Sequence, residues 1–122
     1  MSNPLAKKRA RAFKCQDGKC FYCGVPMWEN NADECRDYAG LSPKLKRRIR
    51  CTAEHLEARV DGGSDAYENL VAACWFCNQL RHRRPTPLGP KRYRKLVRAR
   101  MRARKWHPVE IHKMLEATCV DG

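Results

Sequence analysis

The sequence predicts a small α+β domain stapled by a metal ion. Three observations carry this: a strand–loop–strand–helix order across residues 51–84, two C-x2-C pairs, and a charge of +13 pushed to the flanks. A chain of 122 residues with 32% charged side chains fits one domain with a modest core. Domains of that kind lean on metals or disulfides to supplement burial.

Cys51-Thr52-Ala53-Glu54-His55-Leu56 has β-branched and alternating character and reads as a strand. Asp61-Gly62-Gly63-Ser64-Asp65 is a loop by composition, and the apolar run Leu70 to Ala73 suits a second strand. From Cys74 to Arg84 the pattern turns helical until Pro85-Thr86-Pro87 ends it. The result is a ββα unit. Upstream, Cys20-Phe21-Tyr22-Cys23-Gly24 reads as a tight knuckle, with Gly24 relaxing the turn. The polar stretch Glu29 to Arg50 holds a short helix near Ser42, with Pro43 at its first position.

Downstream, Lys91 to Lys105 carries nine cations in fifteen residues and no acid. Tyr93, Leu96, Val97 and Met101 give it a partial apolar stripe at helical spacing, interrupted by Arg100 and Arg104. Two roles stay open for this helix: clamping phosphates, or packing on the core. A last helix from Val109 to Ala117 is expected to pack Val109, Met114 and Leu115. Three parts follow: a basic arm at 1–14, a metal-stapled core at 15–84, and a basic helical extension at 85–122.

The arm has five cations and no acid, the core eleven cations against ten acids, and the extension ten against three. Basic flanks around a near-neutral core point to a polyanion partner, with DNA phosphates contacted by residues 1–14 and 91–105. No apolar run reaches the ~20 residues that span a bilayer, so no membrane role is expected. The N-terminus lacks the apolar stretch of a secretory signal. The chain therefore reads as cytoplasmic, where thiols stay reduced and paired cysteines hold metal more often than they form disulfides.

Cys20-x2-Cys23 and Cys74-x2-Cys77 each present two sulfurs to one ion, and together they complete a tetrahedron. Four thiolates leave no open position, so such a zinc is structural. An iron–sulfur cluster also accepts four cysteines. Cys15, Cys35, Cys51 and Cys119 lack chelating spacing and read as small apolar residues.

Glu54-His55, Asp61-Gly62-Gly63-Ser64, Glu68-Asn69-Leu70 and Cys74-x2-Cys77-Asn78, in that order, resemble the signature of the HNH (ββα-metal) endonucleases with four zinc cysteines. The resemblance covers roughly Cys20 to His82. It implies a bacterial or phage-encoded DNA endonuclease hydrolysing phosphodiester bonds with one catalytic divalent ion, Mg²⁺ or Mn²⁺. It makes His55 the general base, suited by an ordinary imidazole pKa of ~6.5. Glu54 becomes a ligand of the catalytic ion, in place of the more usual aspartate. Asn69 braces the loop and orients the base. Asn78 stands where the family's second metal ligand sits, which makes the chain an H-N-N variant. His82, one helical turn on, is the alternative ligand. The competing function is a non-catalytic, zinc-ribbon-like nucleic-acid-binding protein, and a more distant one a basic ribosome-associated zinc protein.

Overall fold

The computed structural model describes residues 3–58 and 61–119. Residues 1–2 of the expected arm, 59–60 and 120–122 lie outside the described residues, as do the side chains of Thr118 and Cys119. Among the described residues, five α-helices and a two-stranded sheet make a small α+β domain around a four-cysteine cluster.

The expected arm is a helix, α1 (Pro4–Cys15). Its alanines favour helix, Pro4 starts it, and the Asn3 side chain accepts from the Leu5 N–H at 2.9 Å. The sequence offered a charge pattern here but no apolar one. Gln16, just past its end, donates to the Ala72 carbonyl and accepts from the Ala72 N–H, at 2.8 and 2.9 Å. A side chain thereby takes the place of a missing neighbour strand.

The knuckle follows. The Cys20 N–H donates to Val25 at 2.9 Å and the Gly24 N–H to Cys20 at 3.0 Å. Gly24 sits at φ +80°, a region open to glycine at little cost. Two 3-10 turns (Ala32–Glu34 and Arg36–Tyr38) cross the polar stretch, the first fixed by a capping box between Asn31 and Glu34. Helix α2 (Pro43–Arg48) begins where expected, with Ser42 Oγ accepting from Leu45 at 3.3 Å.

Strands β1 (Cys51–His55) and β2 (Leu70–Cys74) form an antiparallel hairpin, pairing Cys51 with Cys74 and His55 with Leu70. Side chains alternate across it. Thr52 and Glu54 face α3 (Trp75–Arg83), which runs directly on from β2. Helix α1 packs across the hairpin as well, bringing Arg9 close to Cys51. The ββα unit is thus present within about one residue of its expected bounds.

The basic extension joins the same core. Helix α4 (Pro90–Arg102) buries Tyr93 and Val97, with Leu96 and Met101 half-buried, while Lys91, Arg94 and Lys95 stay exposed. Tyr93 donates to the Cys77 carbonyl at 2.7 Å and meets Tyr22 edge-on at 4.8 Å between ring centres. Both readings of the stripe therefore have a face: packing inside, cations outside. Helix α5 (Val109–Cys119) differs from expectation. Val109 is exposed, and Ile111 is the buried anchor, with Met114 and Leu115 beside it at i+3 and i+4. Deleting residues 91–122 should therefore leave a chain without cooperative melting, since it removes Tyr93, Val97 and Ile111 at once. Thermal unfolding followed by circular dichroism checks this.

Candidate active site and metal centre

The two C-x2-C turns meet because the knuckle docks on the hairpin: the Phe21 N–H donates to the Ala72 carbonyl at 3.0 Å. The sulfurs of Cys20, Cys23, Cys74 and Cys77 all lie within 4.8 Å of one another, and all four residues are buried. Cys23 and Cys74 sulfurs are 3.8 Å apart. Tetrahedral thiolates at about 2.3 Å from one ion stand about 3.8 Å apart, so the spacing fits.

The chemistry of the donor set fits too. Burial pushes the Cys23 and Cys77 thiols well up, whereas at Cys20 burial is outweighed by hydrogen bonds from the other three and its pKa is held well down. Sulfurs this crowded ionise together only around a cation. Five N–H groups point at them. The Cys74 N–H donates to Cys20 Sγ at 3.2 Å, and those of Cys23 and Cys77 to Cys20 and Cys74 at 3.5 Å. Trp106 Nε1 donates to Cys77 Sγ at 3.3 Å. His107 completes the set. Burial first, then the Arg48 charge, push its pKa down to about 3, so the ring stays neutral. Arg48 Nε donates to His107 Nδ1 at 2.8 Å, which puts the ring proton on Nε2, 3.3 Å from Cys23 Sγ. Trp106 and His107 read in the sequence only as a helix break. Their role needed the fold, because they lie some thirty and eighty residues from the sulfurs they face.

Cys35 and Cys51 are buried thiols pushed up to about 11 and about 12, chiefly by burial. Both are inert small side chains. Cys15 is exposed at the end of α1.

At the far end of the hairpin lies the second cluster. Glu54 is 1% exposed. A buried carboxylate needs partners, and Glu54 has three. Arg81 Nη1 donates to Oε2 at 3.2 Å, the Tyr22 hydroxyl donates to Oε2 at 3.1 Å, and His82 Nε2 lies 2.7 Å from Oε1. Burial and then the Glu54 charge raise the Tyr22 phenol, so it remains a donor. Arg81 also donates to the carbonyls of His55, Leu56 and Leu88, at 3.2, 3.0 and 3.0 Å. It stitches the end of β1 to α3 and to the segment before α4.

His55 faces the loop, as alternation along β1 requires. Its Nε2 lies 2.7 Å from Asp65 Oδ1. The Asp65 carbonyl in turn accepts from Lys8 Nζ of α1. Asn69 ties that loop to the strand: it accepts from the Glu57 N–H at 2.8 Å and donates to the Glu57 and Ser64 carbonyls at 3.0 and 2.7 Å.

Asn78 is placed differently. Expected beside Glu54, it donates instead to Thr52 Oγ1 and the Ala53 carbonyl, at 3.0 and 3.2 Å. His82 is the helix residue that reaches Glu54. Arg81, Tyr22 and Asp65 went unnoticed in the sequence: Arg81 is one cation among 26, and nothing local distinguishes the other two.

Residues 42–84 match the family model of HNH endonucleases. The HNH match runs from Ser42 through α2, the hairpin and α3, so it includes Glu54, His55, Asn69, Asn78 and His82. It includes Cys74 and Cys77 but neither Cys20 nor Cys23. Searches of curated proteins and of solved structures gave no match. Among the described residues no helix is long and apolar enough to cross a membrane.

Proposed function

We propose that the protein is a metal-dependent DNA endonuclease whose catalytic divalent ion, Mg²⁺ or Mn²⁺, is held by Glu54 and His82, with zinc in the four-cysteine site. The observation that carries this is the Glu54–His82 pair: a buried carboxylate oxygen and an imidazole nitrogen 2.7 Å apart, next along the chain to a histidine with its own carboxylate. His82 keeps 30% of its side chain exposed, so the pair opens to solvent from that side. A hard ion accepts carboxylate and imidazole together. Bound there, it would neutralise charge on the scissile phosphate and on the departing oxygen.

The chain's own residues supply the rest. With the His55 Nε2–H given to Asp65, Nδ1 carries the lone pair and takes the proton from water. Asp65 orients the ring and steadies the imidazolium that forms. Asn69 fixes the loop that carries Asp65. Arg81 and Tyr22 hold one Glu54 oxygen, leaving Oε1 to the ion. Exposed cations of α1 and of Lys91, Arg94 and Lys95 on α4 bind DNA phosphates, and a cytoplasmic, bacterial or phage-encoded setting belongs to the same proposal. A ligand contributed by Asn78, with its Nδ2 anchored on β1, is the second arrangement the family resemblance implies.

A Mn²⁺ titration of the cleavage rate separates the two. His82→Ala should raise the Mn²⁺ needed for half-maximal rate by about 10- to 100-fold, the range seen when metal ligation is weakened. Asn78→Ala should change it by less than about three-fold on the same scale. The reverse order would make Asn78 the ligand.

A further inference from the structure

The groove at the other end of α3 has no part in the scheme above. It encloses about 700 Å³ between α2 and the starts of α3 and α5. Leu45 and Pro108 give it apolar walls, and Trp75 stands in it with 43% of its surface exposed. Lys44, Arg47 and Arg50 line it, all exposed and none ion-paired among the described residues. Arg48 is already committed to His107 and to the face of Phe76. Glu110 is the acid on the rim.

We infer that this groove binds an unpaired nucleotide of a DNA strand, its base stacked on Trp75 and its flanking phosphates on Lys44, Arg47 and Arg50. An exposed indole in a concave, cationic site offers a flat face on which a base can stack. In a duplex the base faces are already covered by neighbours, so only a base out of the stack can reach it. The three cations select an anionic backbone on either side of that base. Glu110 can accept from a base N–H, such as thymine N3–H.

Register along α3 ties the groove to the proposed catalytic pair. Trp75, Asn78 and His82 stand at i, i+3 and i+7, one stripe of the helix. The stripe runs beside β1: the Trp75 N–H donates to the Arg50 carbonyl, Asn78 reaches Thr52, and His82 reaches Glu54. Seven residues at 1.5 Å put Trp75 about 10 Å from His82 along the axis, or about three nucleotide rises of 3.4 Å. The inference rests on the nuclease reading only for this last point, that one strand passes both places.

Binding can be tested without cleavage, with no divalent ion added. Fluorescence anisotropy would follow a labelled oligothymidylate of about 15 nucleotides, and a labelled duplex of equal length, on wild type, Trp75→Ala and Trp75→Phe. Oligothymidylate affinity should fall about 5- to 150-fold in Trp75→Ala, the worth of one base–aromatic stack. It should stay within about two-fold in Trp75→Phe, and duplex affinity should change less than about two-fold in either. Tryptophan emission of the wild type should be quenched by oligothymidylate and not by duplex, and Trp75→Phe should lose that quench while keeping affinity. This second readout decides the matter should Trp75→Ala lose its zinc. Equal losses on both DNA forms, no loss on either, or an unquenched wild type would overturn the inference. So would a polyglutamate peptide of equal charge that competes as well as the oligonucleotide, since the groove would then take acidic peptide. A protein that binds in this way yet never cleaves would sink the nuclease reading and leave the groove assignment standing.

Discussion

Stripping the ion from the four-cysteine site, or exchanging Cys77 for serine, should unfold the domain. The four sulfurs come from two segments far apart in the chain, the knuckle and the β2–α3 junction, and Trp106 and His107 of the C-terminal turn close over them. Structural zinc contributes an apparent ~10–16 kcal/mol in small domains, against a net stability of ~5–15 kcal/mol for ordinary ones. Losing it leaves the folded state without enough to offset chain entropy. Elemental analysis should give one zinc per chain, and the chelated protein should lose its cooperative melt. Acid should act the same way. His107 is held neutral down to about pH 3, whereas an unfolded imidazole takes a proton near ~6.5. The unfolded state therefore binds more protons in that window, and stability falls as pH drops through it. A metal-free protein with full secondary structure and an intact melt would contradict this.

The second large effect is catalytic. His55→Ala should lower the cleavage rate by about 10²–10⁴, the usual worth of a general base, while DNA affinity stays within a few-fold. The ring touches Asp65 and the loop but no part of the sulfur cluster, so zinc content and melting should persist. Asp65→Asn keeps the shape beside Nε2 and weakens the charge on it, and its rate should fall between the two. Single-turnover rates at saturating protein, set beside binding isotherms, separate loss of chemistry from loss of DNA. A His55→Ala protein cleaving at the wild-type rate would remove His55 from the mechanism.

What the sequence made legible follows from which forces are local. The ββα order, the Ser42–Pro43 helix start, the Gly24 turn and the two C-x2-C pairs each rest on neighbours in sequence, and each appears in the fold. The arm at residues 3–14 gave a charge pattern that concealed a helix, because Asn3 capping and Ala propensity carry no apolar period. Ile111 and not Val109 anchors α5 although the helix begins where expected, because which face meets the core depends on how the helix packs on distant parts of the chain. At the candidate site, Glu54 and His55 stood out as a pair. What holds them did not, since Arg81, Tyr22 and Asp65 are brought in from 27, 32 and 10 residues away. Asn78 and His82 illustrate the same limit. Both lie on the helix stripe facing β1, and only the register of α3 against the strand decides that Asn78 meets Thr52 and His82 meets Glu54.

The most direct measurement is cleavage of supercoiled plasmid by the zinc-loaded protein, with Mg²⁺ or Mn²⁺ added and with no divalent ion added. Omission is the better control, because a chelator would also attack the cysteine site. Nicked or linear DNA is expected only where the ion is present, and on the wild-type time course His55→Ala should leave the plasmid almost entirely supercoiled. Wild-type protein that binds the plasmid but leaves it supercoiled across both ions would contradict it, and would make the chain a nucleic-acid-binding protein built on a nuclease framework.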